Sequence, residues 1–262
     1  MSTYVLSDIH GQFFSYQKML KKINFSDNDF LYVLGDCIDR GPDGISIIQD
    51  IMKRDNVELI LGNHEIMLLN TLEFFKEREK EVPVVERTGD GLTPFELWTH
   101  PCNGGEGTCL DLLGLKVEER KTIESYLRGC RLIKRIEVNG KKYHLSHSYS
   151  VSKPFGQELT LKKVDKKVAE AIVWESVFDT KKADEDLTFS YKRDIYIVGH
   201  IFTQRLGNMD ENGKGMIYRN DSFRGYKIIN VDCGMALNSR SSRLGCICLD
   251  TGEEFYIPLL PD

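Results

Sequence analysis

A chain of 262 residues with 41% hydrophobic and 29% charged residues carries enough apolar side chain for a buried core, which excludes a disordered or fibrous protein. Its formal net charge of −5 and pI near 5.8 exclude an overall basic field for nucleic acid or an anionic membrane, so an anionic ligand must be met by local cations. Asp8 interrupts the N-terminus too early for a signal peptide, no apolar run spans a bilayer, and the seven cysteines are scattered, all of which predicts a cytoplasmic protein with reduced thiols.

The length fits a single domain over 1–262. Three times in the first third an apolar run leads into a polar loop and then a segment of helical spacing. Thr3 to Ser7 precedes Asp8-Ile9-His10-Gly11 and a helix over Phe14 to Ile23; Phe30 to Leu34 precedes Gly35 to Gly41 and a helix over Ile45 to Met52. Val57 to Leu61 precedes Gly62-Asn63-His64-Glu65 and a helix over Ile66 to Phe75. Such alternation predicts βαβ units and a parallel sheet, with the polar loops gathered at the carboxyl edge.

Residues 76–129 are charged and punctuated by Gly and Pro, and read as a cap-like helical insertion with Val117 to Leu127 its best amphipathic stretch. Asn139-Gly140 between two alternating runs predicts a hairpin over Leu132 to Ser146 with a type I′ turn. Lys162 to Val173 reads as a helix, Lys181 to Asp186 as a solvated loop and Ile195 to Val198 as a strand ending at Gly199-His200. The apolar runs at Met216 to Tyr218, Tyr226 to Val231, Leu244 to Leu249 and Glu254 to Ile257 read as antiparallel strands, the third accounting for Cys246 and Cys248 without a metal.

Five polar clusters follow strand-like runs: Asp8-x-His10, Gly35 to Gly41, Gly62 to Glu65, His147 and Gly199-His200. Carboxylate, imidazole and amide oxygen suit divalent first-row metals, and the glycines let the backbone turn where a Cβ would crowd an ion or a phosphate. Any one cluster recurs by chance; their joint occurrence does not.

The Asp-x-His-Gly, Gly-Asp-x-x-Asp-Arg-Gly and Gly-Asn-His-Glu series resembles the phosphoprotein-phosphatase branch of the calcineurin-like metallophosphoesterases. Trp98 with Asn103-Gly104-Gly105-Glu106-Gly107-Thr108 is similar to a segment of the bacterial and phage members. The resemblance implies an α/β fold, a central sandwich of two mixed sheets flanked by helices. It also implies two divalent ions, manganese first and iron, zinc or cobalt as alternatives. Asp8, His10 and Asp36 would hold one ion; Asp36, as a bridge, would hold the other with Asn63, His147 and His200. Water acidified between ions roughly 3.5 to 4 Å apart would attack phosphorus in line. Arg40 would neutralise the phosphoryl oxygens, and His64, oriented by Asp39, would protonate the leaving oxygen.

That resemblance implies a phosphatase acting on phosphoserine, phosphothreonine or phosphotyrosine in proteins, or on small phosphoesters, with dinucleoside polyphosphate hydrolysis as the alternative enzyme reading; a non-enzymatic binding module would be expected to have lost a ligand. The second arginine that the bacterial members carry after a tryptophan is missing behind Trp174, where Glu175-Ser176-Val177 follows, so Arg205, Arg219, Arg240, Arg243 or the lysines of 162–167 are candidate substitutes. Of His144 and His147, three apart in one strand, only one can face the site. Glu65 reads as support for its helix start, His100 as a surface residue, Asn103-Gly104-Gly105 as a turn or an anion nest, Cys37 as a candidate for oxidation, and Phe202 as core or pocket lining.

Overall fold

The computed structural model describes residues 1–72, 91–148, 158–178, 193–206, 215–223 and 225–259. Residues 76–90 of the expected insertion and the expected 181–186 loop lie outside them. The first sheet contains β1 (Thr3–Leu6), β2 (Phe30–Val33), β3 (Val57–Leu59), β10 (Arg243–Cys248) and β11 (Glu254–Pro258), in the order β11-β10-β1-β2-β3. The second contains β4 (Arg131–Val138), β5 (Lys141–Ser146), β6 (Glu158–Thr160), β7 (Ile195–Val198), β8 (Tyr218–Phe223) and β9 (Tyr226–Asn230), in the order β6-β4-β5-β7-β9-β8. Both are mixed, and helices flank them, as the α/β expectation requires.

Strand periodicity decides which side chain faces what. Tyr4, Leu6, Leu31 and Val33 point into the main core, which α1 (Phe13–Lys22), α2 (Gly44–Met52) and α3 (Asn63–Thr71) cover with Met19, Ile48 and Leu68. Their neighbours Val5, Tyr32 and Leu34 point the other way, against Tyr143, Leu145, Ile197 and Ile229 of the second sheet. Cys246 and Cys248 face the main core and Ile247 the inter-sheet core, the alternation of an ordinary strand. Three helices follow the undescribed segment: α4 (Pro94–Thr99), α5 (Glu106–Gly114) and α6 (Val117–Gly129). They add Trp98, Leu112, Ile123 and Leu127 to the main core.

Strands β1, β2 and β3 are parallel, as the repeated strand-loop-helix pattern predicts. The hairpin β4–β5 turns at Asn139 and Gly140, both with positive φ (49° and 74°). Two expectations need correcting. Strand β9 pairs antiparallel with β8, as expected, but parallel with β7 on its other edge, because the connection after β7 passes through β8 at the sheet edge before returning. The helix expected from Lys162 begins only at Lys166 (α7, Lys166–Trp174), where Asp165 caps it by accepting the Val168 N–H. Among the described residues no helix is long and apolar enough to cross a membrane.

Candidate active site

Because β1, β2 and β3 of one sheet and β5, β7 and β9 of the other each run parallel, their carboxyl ends can meet at one edge of the sandwich. Hydrogen bonds tie the loops together there. Asp8 and His10 donate backbone N–H to Gly35 O and Asp36 O (3.0 and 2.8 Å), and Gly199 N–H bonds His147 O at 2.7 Å. The glycines serve this closeness: a Cβ on Gly62 would run into the Asp36 carboxylate, and one on Gly199 into Asp8. The crowding they relieve is between neighbouring loops.

All nine predicted site residues assemble here. Asp36 is the centre: its Oδ2 lies 3.7 Å from His10 Nε2, and its Oδ1 lies 3.4 Å from His147 Nε2. Asp8 Oδ1 is 3.9 Å from the same His10 nitrogen. On the other side, Asn63 Oδ1, His147 Nε2 and His200 Nδ1 converge within 3.0 to 3.2 Å of one another. Ligands about 2.0–2.2 Å from one cation stand roughly 3 to 3.5 Å apart, which the separations around His147 match and the 3.7 and 3.9 Å separations at His10 slightly exceed.

The tautomers agree with that purpose. His10 Nδ1 faces the Ile38 carbonyl at 3.3 Å and His147 Nδ1 the Leu34 carbonyl at 2.7 Å, so in both rings the N–H is spent on backbone and the Nε2 lone pair faces the site. Burial pushes the Asp8 and Asp36 carboxyls up, the Asp8 charge raising Asp36 further, and pulls His10 down and His200 to about 3. Buried carboxylates beside neutral imidazoles, all lone pairs inward, want a cation. Asp36 belongs to two candidate metal groups, one with His10 and His64, the other with His147 and His200.

His64 differs from the others. Its Nδ1 is 2.7 Å from Asp39 Oδ2, while its Nε2 stands 3.4 Å from Arg40 Nη2 and 3.8 Å from Asp36 Oδ2. Burial raises Asp39 to about 7 against the hydrogen bonds of Thr108 and Trp98, and burial with the Arg40 charge holds His64 well below its ordinary value.

The sequence reading missed what supports these groups. Trp98 donates its indole N–H to Asp39 Oδ2 at 2.9 Å, Thr108 Oγ1 accepts the Asp39 N–H at 3.1 Å, and the Gly104 carbonyl accepts the Arg40 N–H at 3.0 Å. The Trp98 to Thr108 segment thus braces the Asp39-Arg40 turn, and Gly104 meets it through a carbonyl rather than as an anion nest. Glu65 does more than start a helix: its carboxylate accepts the N–H groups of Asp36, Cys37 and Gly62 at 2.8 to 2.9 Å. Asp232, fully buried just past β9, was passed over although it too follows an apolar strand-like run. Its Oδ1 accepts the Gly234 N–H at 2.9 Å, and burial together with the Asp8 charge pushes its carboxyl up.

Other expectations resolve simply. His144 turns to the outer face, 2.7 Å from Asp194 and stacked on Tyr196, which leaves His147 to the site. His100 is exposed. Cys37 is wholly buried with its thiol pushed well up, the opposite of an oxidation-prone thiolate.

The calcineurin-like phosphoesterase family model matches residues 1–204, and the chain belongs to that family. Symmetrical bis(5′-nucleosyl)-tetraphosphatases are among its relatives: that of Buchnera aphidicola (strain Tuc7) is 39% identical over 83 residues, 31% of this chain and 30% of the relative. That of Wigglesworthia glossinidia brevipalpis is 40% identical over 88 residues, 33% and 32%. The matches therefore span about a third of the length of these curated relatives. Among solved structures, a chain provisionally assigned as a diadenosine tetraphosphatase superposes with TM-score 0.59 at 14% identity, covering 99% of this chain and 94% of its own. A protein serine/threonine phosphatase of Saccharomyces cerevisiae gives 0.52 at 14% identity, covering 100% and 81%. These two likenesses speak to fold alone.

Proposed function

We propose that this phosphoester hydrolase splits symmetrical dinucleoside polyphosphates, diadenosine tetraphosphate being the type substrate, into two nucleoside diphosphates. The observation that carries the substrate class is the 39% identity with symmetrical bis(5′-nucleosyl)-tetraphosphatases. Protein phosphate, the substrate expected first from the sequence, gives way to it, since the Buchnera and Wigglesworthia relatives are nucleosyl-tetraphosphatases by name.

In this reading Asp8, His10 and Asp36 would hold one divalent ion, and Asp36, Asn63, His147 and His200 would hold the second. When bound, the ions supply Lewis acidity that lowers the pKa of water and withdraws charge from a phosphoryl group. The chain's own residues do the rest. Glu65 fixes the Asp36 backbone, so the bridging carboxylate is aimed before substrate arrives. Arg40, exposed at the mouth, grips non-bridging oxygens with a planar set of donors. The Asp39–His64 pair, held towards its neutral forms by burial, keeps a proton at His64 Nε2. The leaving diphosphate oxygen takes that proton, and Asp39 makes good the loss at Nδ1.

A product assay tests the reading. With Mn²⁺ added, diadenosine tetraphosphate should yield two equivalents of ADP with a kcat/KM well above that for release of phosphate from a phosphoserine peptide. The reverse ranking, or no ADP at all, overturns it.

A further inference from the structure

The helix α7 buries Ala169, Ile172 and Val173, yet its last residue, Trp174, stays 38% exposed. The indole is not idle. Its ring and that of His200 stand perpendicular, centroids 6.3 Å apart at 89°, and its carbonyl holds the His200 imidazole. From this indole a cleft of about 880 Å³ opens, walled by Leu97, itself 40% exposed, and by Lys167, Glu170, Glu175 and Arg205. Exposed apolar side chains flanked by charged ones form an amphipathic cleft that adjoins the site through the Trp174–His200 contact.

We infer that this cleft seats a nucleoside base of the substrate, stacked on Trp174, with Arg205 and Lys167 facing the adjoining phosphates; the inference rests on the dinucleoside-polyphosphate reading. Three features choose this occupant. A half-exposed indole offers a flat π-face, and base-on-aromatic stacking is a strong and base-tolerant contact. The volume lies within the range of small-ligand clefts and suits a nucleotide. Glu170 and Glu175 on the same walls disfavour a wholly anionic occupant but suit the exocyclic amine of a base, whereas the cations suit its phosphates.

The same geometry addresses the missing second arginine. Of the candidates, Arg219 is paired with Glu254 at 2.7 Å and lines a pocket beside Gly140, at the opposite end of β5. Arg205, with its guanidinium 5.1 Å over the Phe202 ring, lines the cleft next to His200, and Lys167 of the basic 162–167 run lines it too.

Trp174 also supplies the probe, because the chain has only two tryptophans and Trp98 is wholly buried. Mn²⁺-loaded protein is titrated with ADP and, separately, with inorganic pyrophosphate, following indole emission. ADP should quench it, pyrophosphate should not, and Trp174→Ala should abolish the response. In parallel, kcat/KM is measured for diadenosine tetraphosphate and for glycerol phosphate, which has no ring. Trp174→Ala should lower the ratio of the two about tenfold, with Trp174→Phe restoring most of it; a mere disturbance of His200 would lower both values alike and leave the ratio unchanged. Equal quenching by pyrophosphate, quenching that persists without Trp174, or an unchanged ratio overturns the inference while leaving ADP production intact. Conversely, ADP quenching in a protein that cannot cleave the dinucleotide would sink the substrate reading and leave the base seat standing.

Discussion

At Asp36 the two carboxylate oxygens face different sets of donors, Oδ2 towards His10 and Oδ1 towards His147, and this one side chain turns two half-sites into a pair. Asp36→Asn should therefore abolish binding of both ions, which elemental analysis of the purified variant would reveal; retention of one full equivalent would show independent sites. The clamp beneath it is Glu65, buried with three backbone N–H groups on its carboxylate. Glu65→Gln turns an acceptor into a donor against those amides and should cost about 3 kcal/mol, seen as a lower midpoint in chemical denaturation. Next to His64, the proposed proton donor, Trp98 favours the Asp39 carboxylate through its indole N–H. Trp98→Phe removes that bond, so Asp39 should rise further above about 7 and the limb of the kcat–pH profile belonging to the Asp39–His64 pair should shift upward. His64→Asn should keep both ions and slow turnover by roughly 10²- to 10⁴-fold, most on poor leaving groups.

At the scale of elements, the strand ends were legible because five apolar runs, each followed by Asp, His or Asn, together leave few alternatives to functional loops. The hairpin was legible because Asn-Gly accepts positive φ at both positions. The direction of β9 was not, since parallel and antiparallel strands share the same alternation and only long-range pairing separates them. Nor was the backbone of the loops: Asp8, His10, Asp36, Asp39, Arg40 and His200 all have positive φ, a conformation these residue types seldom adopt. Such strain, about 1–3 kcal/mol for each residue, persists only where surrounding bonds over-determine it, which here means the loop-to-loop amides and the Glu65 clamp. Asp232 and the Trp98 brace escaped for a related reason: their value lies in partners far away in the chain. An element-scale test follows from Gly199, where Ala would push a methyl into Asp8. Gly199→Ala should keep the far-UV dichroism of the fold and weaken Mn²⁺ binding at least about tenfold, because the loop must back away from its ligand position.

For the whole molecule, ion binding and stability are linked. Folded Asp8 and Asp36 have raised pKa values, so in ion-free protein their contribution to stability is present at low pH and lost as pH rises through those values. Ions bind the ionised carboxylates, and protons compete with them. The site histidines His10 and His200 are held low by burial and stand neutral in the folded protein, so they do not set protons against the ions; in ion-free protein they oppose the carboxylate trend, adding stability as pH rises towards the unfolded imidazole value of about 6.5. The gap in Tm between Mn²⁺-loaded and chelator-treated protein should therefore widen as pH rises from the acid side through the raised range in which these carboxyls ionise. At a free ion concentration of about 100 times Kd, each site should add about 2.7 kcal/mol.

The proposed chemistry depends on one aspartate being shared by two cations. The direct measurement is a titration of ion-free protein with Mn²⁺, following bound metal and ADP production in the same samples. Two equivalents per chain, with activity appearing only as the second site fills, is the expected result. Full activity at one equivalent, or activity that survives exhaustive chelation, would contradict it.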